Sequence, residues 1–208
     1  MKIKKLPIIF AVIATALFIL PILCFAHEPS TCVSYALKDV QGLGPLPYNY
    51  REIDGRIFAG GHPLNPANGL NNTDVQALKI LKYLKSKGVR TVIDLQNDQK
   101  TEERYVRLLN EAGLKRIHIP LSWLKPPSKD DWKKMSAAFS APVFIHCKWG
   151  ADRTGLIIAK YLIVFKGYSL NEALAAVSTG GSHAGKIRGM YPTYRYDPIL
   201  LKFLKQTP

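Results

Sequence analysis

The run His146-Cys147-Lys148-Trp149-Gly150-Ala151-Asp152-Arg153-Thr154-Gly155 joins two segments of opposite character. Before it, Ala141-Pro142-Val143-Phe144-Ile145 is apolar, β-branched and aromatic, and too short for a helix, so it reads as a buried strand. After it, Leu156 to Phe165 stays apolar over more than two turns and stops at Gly167, which predicts a buried helix. Cys147 therefore stands where a strand ends and a helix begins.

That place suits an anion. The first amides of a helix have no partners within the helix, and the helix dipole adds partial positive charge there. A short loop curled over those amides makes a nest for a phosphate-sized dianion. Arg153 contributes a planar fork able to hold two oxygens at once. The same field favours thiolate, the nucleophilic form, at Cys147. One loop, through Lys148, Trp149, Gly150, Ala151, Asp152 and Arg153, thus offers nucleophile, cradle and clamp. The competing reading is a buried cysteine that merely closes a strand, and the agreement of strand, histidine, loop glycine, Arg-Thr-Gly exit and helix speaks against it.

The stretch resembles the signature of the cysteine-dependent tyrosine and dual-specificity phosphatases, His-Cys, five residues, Arg, then Ser or Thr. The likeness extends more loosely from about residue 48 to 205 and is nearest to the small bacterial dual-specificity-like enzymes, some of them exported. It implies an α/β fold with a mostly parallel central sheet flanked by helices. It also implies a phosphocysteine formed at Cys147, phosphoryl binding by Arg153, help from the Thr154 hydroxyl as the thiolate leaves, and no metal or other cofactor. Phe58-Ala59-Gly60-Gly61-His62-Pro63 resembles a family phrase that usually runs Tyr-Arg-Ser-Gly-Gln-Pro; the family's arginine is Ala59 here, so no ligand role carries over.

The likeness fails at the general acid. Relatives commonly place an aspartate on the loop some 25 to 35 residues before the cysteine, as a family pattern. Here that loop is Pro120-Leu121-Ser122-Trp123-Leu124-Lys125-Pro126-Pro127, without a carboxylate. Asp152 is the first candidate, because myotubularin-type lipid phosphatases, which the loop resembles at this position, are thought to use an aspartate there; bracing the loop is its other reading. Asp130 and Asp131 come second, although acids beside Ser128 also suit a helix cap. A mechanism without a side-chain acid is third.

The rest of the chain alternates strands and helices. Tyr48 to Phe58 predicts two short strands about an Asp54-Gly55 turn. Thr73 with Gln76 predicts a capped helix to Lys87, Arg90 to Leu95 a strand, Thr101 the cap of a second helix that ends at Gly113, and Lys115 to Ile119 a strand. Asp131 to Phe139, capped by Ser128, Ser169 to Val177, and Asp197 to Leu204 complete the helices. Ligands in such sheets sit at the carboxyl ends of strands.

Residues 1–26 read as a signal peptide, with Lys2-Ile3-Lys4-Lys5 before an apolar run from Leu6 to Phe25 and a cleavage site before His27. An uncleaved inner-membrane anchor is the alternative, and either places the domain at 48–208 in the periplasm or outside the cell, after an irregular lead-in over 27–47. Cleavage would leave Cys32 and Cys147, a pair open to oxidation but not a disulfide framework. The net charge of +14 favours anionic partners. A phosphorylated protein, a phospholipid, an inositol phosphate or a sugar phosphate all satisfy it, as does an anionic membrane surface. No nucleic-acid module accompanies the charge. Lys148 and the basic glycine-rich run from Gly180 to Arg188 lean toward substrates with more than one phosphate. An inactive phosphate-binding relative and a rhodanese-like sulfurtransferase are the competing classes; an intact Cys147–Arg153 pair argues against the first, and the His-Cys start and Arg-Thr-Gly exit against the second. The sequence carries no signal of oligomeric state.

Overall fold

The computed structural model describes residues 40–67, 69, 71–97, 100–122, 125–178 and 197–206. The targeting segment, Cys24, Cys32, Trp123, Leu124 and the 180–188 loop lie outside the described residues.

Five strands form one sheet in the order β1-β2-β5-β3-β4. They are β1 (Arg51–Ile53), β2 (Ile57–Gly61), β3 (Thr91–Asp94), β4 (Lys115–His118) and β5 (Val143–Cys147). Only the β1–β2 pair is antiparallel. Three residues, Asp54 to Arg56, connect the pair; the Arg56 amide donates to Ile53 O at 3.2 Å, and Asp54 at φ 50° and Gly55 at φ 71° take the left-handed geometry that Asp and Gly tolerate. The hairpin is then tied to the far end of the helix that follows Cys147, where Tyr161 Oη donates to Asp54 Oδ2 at 2.6 Å and Lys166 Nζ lies 2.5 Å from it.

Among the described residues six helices flank the sheet: α1 (Asp74–Ser86), α2 (Glu102–Ala112), α3 (Lys129–Ala138), α4 (Asp152–Lys166), α5 (Leu170–Val177) and α6 (Asp197–Lys205). Strand side chains alternate between faces, and the core divides accordingly. Val143, Ile145, Cys147, Ile93 and Leu95 face a cluster built by α3 to α6. Phe144 and Val92 face a second cluster with Ile80, Leu81 and Leu84 of α1 and Leu108 and Leu109 of α2. β5 is buried along its whole length, which is why its sequence runs apolar without alternation.

Capping boxes close α1 (Thr73 with Gln76), α3 (Ser128 with Asp131) and α5 (Ser169 with Glu172). Two expectations need correction. Thr101 precedes α2 but its side chain makes no capping bond, and Glu102 and Glu103 answer the dipole instead. α3 has the expected Ser128 cap but starts directly after it, at Lys129, two residues earlier than expected.

Lys160 of α4 is buried at 2% exposure, and burial lowers its pKa. Its ammonium donates to the carbonyls of Phe203 and Leu204, each at 3.1 Å, and to that of Gln206, which closes the carboxyl end of α6. Lys160→Met is expected to cost about 1–3 kcal/mol in denaturant unfolding, since it strands these carbonyls. Protease cleavage within α6 should become faster in the same variant.

Candidate active site

Cys147 is the last residue of β5, 3% exposed, in register with Gly61 at the end of β2. Residues 148–151 turn back to Asp152, where α4 starts without a side-chain cap at Ala151. The free amides of that first turn thus open toward the loop. Gly150, at φ 68°, is what allows the loop to seat: a Cβ there would lie 2.1 Å from the Gly60 carbonyl carbon and 2.5 Å from Gly61 N. The loop rests on the backbone of β2 with no space between them for a side chain.

Arg153 reaches across the ends of β3 and β4. Its Nη1 donates to Leu95 O at 3.0 Å and Leu121 O at 3.4 Å, and Nη2 to Gln96 Oε1 at 3.3 Å. Nε makes no hydrogen bond among the described residues, so the guanidinium is fixed along one edge with donor capacity to spare. Thr154 is fully buried, and its Oγ1 has no hydrogen-bond partner among the described residues. Asp152 is buried at 6% exposure in the first turn of α4. Lys148 is exposed and places its ammonium 5.5 Å from the centre of the Trp149 ring, which also meets Tyr48 edge-on at 5.9 Å.

Residues 70–167 match the family model described as "Tc-R-P: Polymorphic toxin system, DSP-PTPase phosphatase". Over those residues, just under half of the chain, the sequence has the pattern of a dual-specificity-type phosphatase domain. Among solved structures it is similar to TpbA of P. aeruginosa, at 19% identity and TM-score 0.57, covering 85% of this chain and 91% of that one. It is similar also to PTPMT1, at 24% identity and TM-score 0.53, covering 75% of this chain and 94% of that one. A cysteine-to-serine form of TpbA has been solved with phosphotyrosine, and PTPMT1 with PI(5)P. No curated protein matches the chain at a significant level.

Behind the loop of this phosphatase lies a buried polar group that sequence reading did not find. His146 is fully buried, with Nε2 2.8 Å from Tyr105 Oη. His62 packs on both, its ring centre 4.8 Å from that of His146 and 4.2 Å from that of Tyr105. The Leu64 amide donates to His62 Nδ1 at 3.1 Å, which leaves the ring proton on Nε2. Asp94, 1% exposed, accepts from Arg116 Nη2 at 2.7 Å and from the Gln96 amide at 2.8 Å. Arg116 also grips Glu102 with both Nη atoms, at 2.5 and 2.9 Å, and that contact leads the causes holding the Glu102 carboxyl below its ordinary range. The alternation of β3 and β5 could have placed Asp94 and His146; nothing local announced Tyr105 as their partner.

His62, Asp94 and His146 offer ligand atoms within 4.8 Å of one another. A metal there would compete with the hydrogen bonds that Asp94 accepts from Arg116 and the Gln96 amide, and it would face the Arg116 guanidinium. The donor set suits a hydrogen-bonded support for β5, not a cation.

Of the residues read as site candidates, Cys147 to Thr154 run through the loop into the first turn of α4, whereas Asp130 and Asp131 lie in the first turn of α3. Asp131 completes the α3 cap, its carboxylate accepting from the Ser128 amide at 3.0 Å and Ser128 Oγ at 2.7 Å. Burial works to raise its pKa, but these bonds outweigh burial and hold it below the ordinary carboxylate range, which is wrong for a proton donor. Asp130 lines a cleft of about 290 Å³ with Trp132, Lys160 and Phe203. Lys160 is eight residues, about 12 Å of helix, along α4 from the loop.

Burial pushes both His62 and His146 down to about pKa 3, so both are neutral in the native state near neutral pH. As pH falls below about 6.5 the unfolded chain takes up these two protons and the native chain does not, so stability is lost through this window and down to the folded values. Thermal unfolding measured between about pH 7 and pH 5, above the range where carboxylates titrate, is expected to show a falling Tm. His62→Gln should roughly halve the slope; an unchanged slope would mean that His62 is not held neutral.

Proposed function

We propose that this phosphatase hydrolyses phosphate monoesters through a cysteinyl-phosphate at Cys147. The observation that carries the reading is one of place: a buried strand delivers the sulfur to the uncapped N-terminus of α4, beside a guanidinium already fixed in position. The non-bridging phosphoryl oxygens settle on the loop and helix amides, and Arg153 spans two of them. Cys147 Sγ attacks phosphorus in line; the S–P bond forms as the bond to the ester oxygen breaks. Asp152 gives that oxygen its proton. Water then attacks the phosphocysteine, returns a proton to Asp152, and releases phosphate with the sulfur as leaving group. The Thr154 hydroxyl, buried and without another partner among the described residues, donates to the departing sulfur.

The substrate class proposed is phosphotyrosine in proteins together with inositol phosphates and their lipids. The Trp149 and Tyr48 rings give a wall for an aryl group, and Lys148 beside them provides for a further phosphate or an anionic membrane. The phosphotyrosine and PI(5)P complexes of TpbA and PTPMT1 are the same two chemistries in similar folds. Export by residues 1–26, with action in the periplasm or beyond, completes the proposal and rests on the basic-then-apolar order of that segment.

Cys147→Ser is expected to lose turnover yet keep vanadate binding, whereas Arg153→Ala and Arg153→Lys lose both, because an ammonium cannot reproduce the two-pronged contact. Substrates with good and poor leaving groups separate the roles of Asp152. Asp152→Asn should cripple alkyl phosphates by about a hundredfold or more and spare p-nitrophenyl phosphate, whose leaving group needs little protonation. Equal slowing of both substrates would make Asp152 a brace for the loop.

A further inference from the structure

The segment that leads into the sheet grips the outside of the phosphate loop at its carbonyls. Lys148 O accepts from the His62 amide at 3.2 Å and from Asn65 Nδ2 at 2.8 Å. Trp149 O accepts from Asn49 Nδ2 at 3.3 Å. A trans peptide is planar and directs its N–H opposite to its C=O. Carbonyls drawn outward at 148 and 149 therefore turn the amides of Trp149 and Gly150 inward, to the side of the loop that Cys147 and Arg153 share.

Asn49 is itself held for the task. It adopts φ 54°, the left-handed region that asparagine tolerates better than most side chains. The neighbouring Tyr48 carbonyl accepts from the Gly61 amide at 2.7 Å, which joins this turn to the end of β2. Arg51, 1% exposed, donates from Nη1 to Asn49 O at 3.0 Å. The chain of contacts thus runs from a buried arginine on β1, through Asn49, to the peptide whose amide faces the substrate.

We infer that Asn49 and Asn65 are positioning residues of the phosphate cradle, which aim the Trp149 and Gly150 amides at the phosphoryl oxygens by holding the preceding carbonyls outward. Neither touches the substrate. Their effect is on how many loop amides reach the anion, a quantity that matters most where charge builds on the phosphoryl group in the transition state. The inference rests on the phosphate-binding reading of the loop. Arg51 belongs to the same device, and its buried charge is also attracted to the Cys147 sulfur, which opposes the lowering of its pKa by burial.

The test uses variants that remove a donor at constant shape or backbone freedom: Asn65→Asp, isosteric with the native side chain, and Asn49→Gly, which keeps the left-handed turn. Inhibition of p-nitrophenyl phosphate hydrolysis by inorganic phosphate and by vanadate is measured beside kcat, KM and Tm. Each variant is expected to weaken both inhibitors and lower kcat/KM by about tenfold to a hundredfold, the scale of a misplaced oxyanion donor. Tm should move by no more than a few degrees. Native inhibitor affinity and kcat/KM in both variants would overturn the inference. So would a loss that appears only in step with unfolding. An inactive wild-type protein that fails to bind vanadate would instead strike the phosphatase reading itself.

Discussion

The Cys147–Arg153 loop can exist here because two stretches of backbone meet without side chains between them. At Gly150 a single methyl group would collide with the peptide joining Gly60 to Gly61. This contact fixes how far the loop folds back on β2, and from that distance the other features follow. The Lys148 carbonyl comes within reach of the His62 amide and of Asn65, and Trp149 comes within reach of Asn49 and Tyr48. The loop is shaped from outside, by the strand beside it, as much as by its own sequence. Interiors packed at crystal-like density leave little play at such a contact.

Electrostatic order is built in two layers. In front of the sheet end, helix amides and the Arg153 guanidinium present positive character to an incoming dianion. Behind it, the histidines are kept neutral by burial, and the negative charge of Asp94 is matched by Arg116. The chain therefore adds no further cation at His146, directly against Cys147, and leaves Arg153 and the amides as the positive groups at this end of the sheet. Breaking the Asp94–Arg116 pair by removing one partner would leave an uncompensated buried charge next to the nucleophile's strand.

The parts legible in the sequence were those encoded within about ten residues. The strand–loop–helix unit around Cys147, the Asp54-Gly55 turn, the capping boxes at Thr73 and Ser128, and the left-handed glycines after α2 and α4 all announce themselves by local rules. Thr101 misled because a residue of cap type precedes the helix without adopting cap geometry. What escaped was long-range. Asn49 and Trp149 are a hundred positions apart, Tyr105 and His146 forty-one, and no periodicity in one segment reveals a partner in the other. Arg51 escaped for a related reason: an arginine on a short edge strand reads as solvent-facing until the fold covers it. The general acid stayed open in the sequence because the loop from Pro120 to Pro127 has no carboxylate, and in the structure Asp131 completes the α3 cap.

The account stands on Cys147 as the atom that takes the phosphoryl group. The most direct measurement is rapid acid quench of the wild-type protein during turnover of a phosphorylated substrate, followed by peptide mass spectrometry. The account predicts a phosphoryl group on the peptide that contains Cys147, absent in Cys147→Ser protein. Phosphate release at the native rate from Cys147→Ser protein, or a phosphoryl group trapped on another residue, would contradict it.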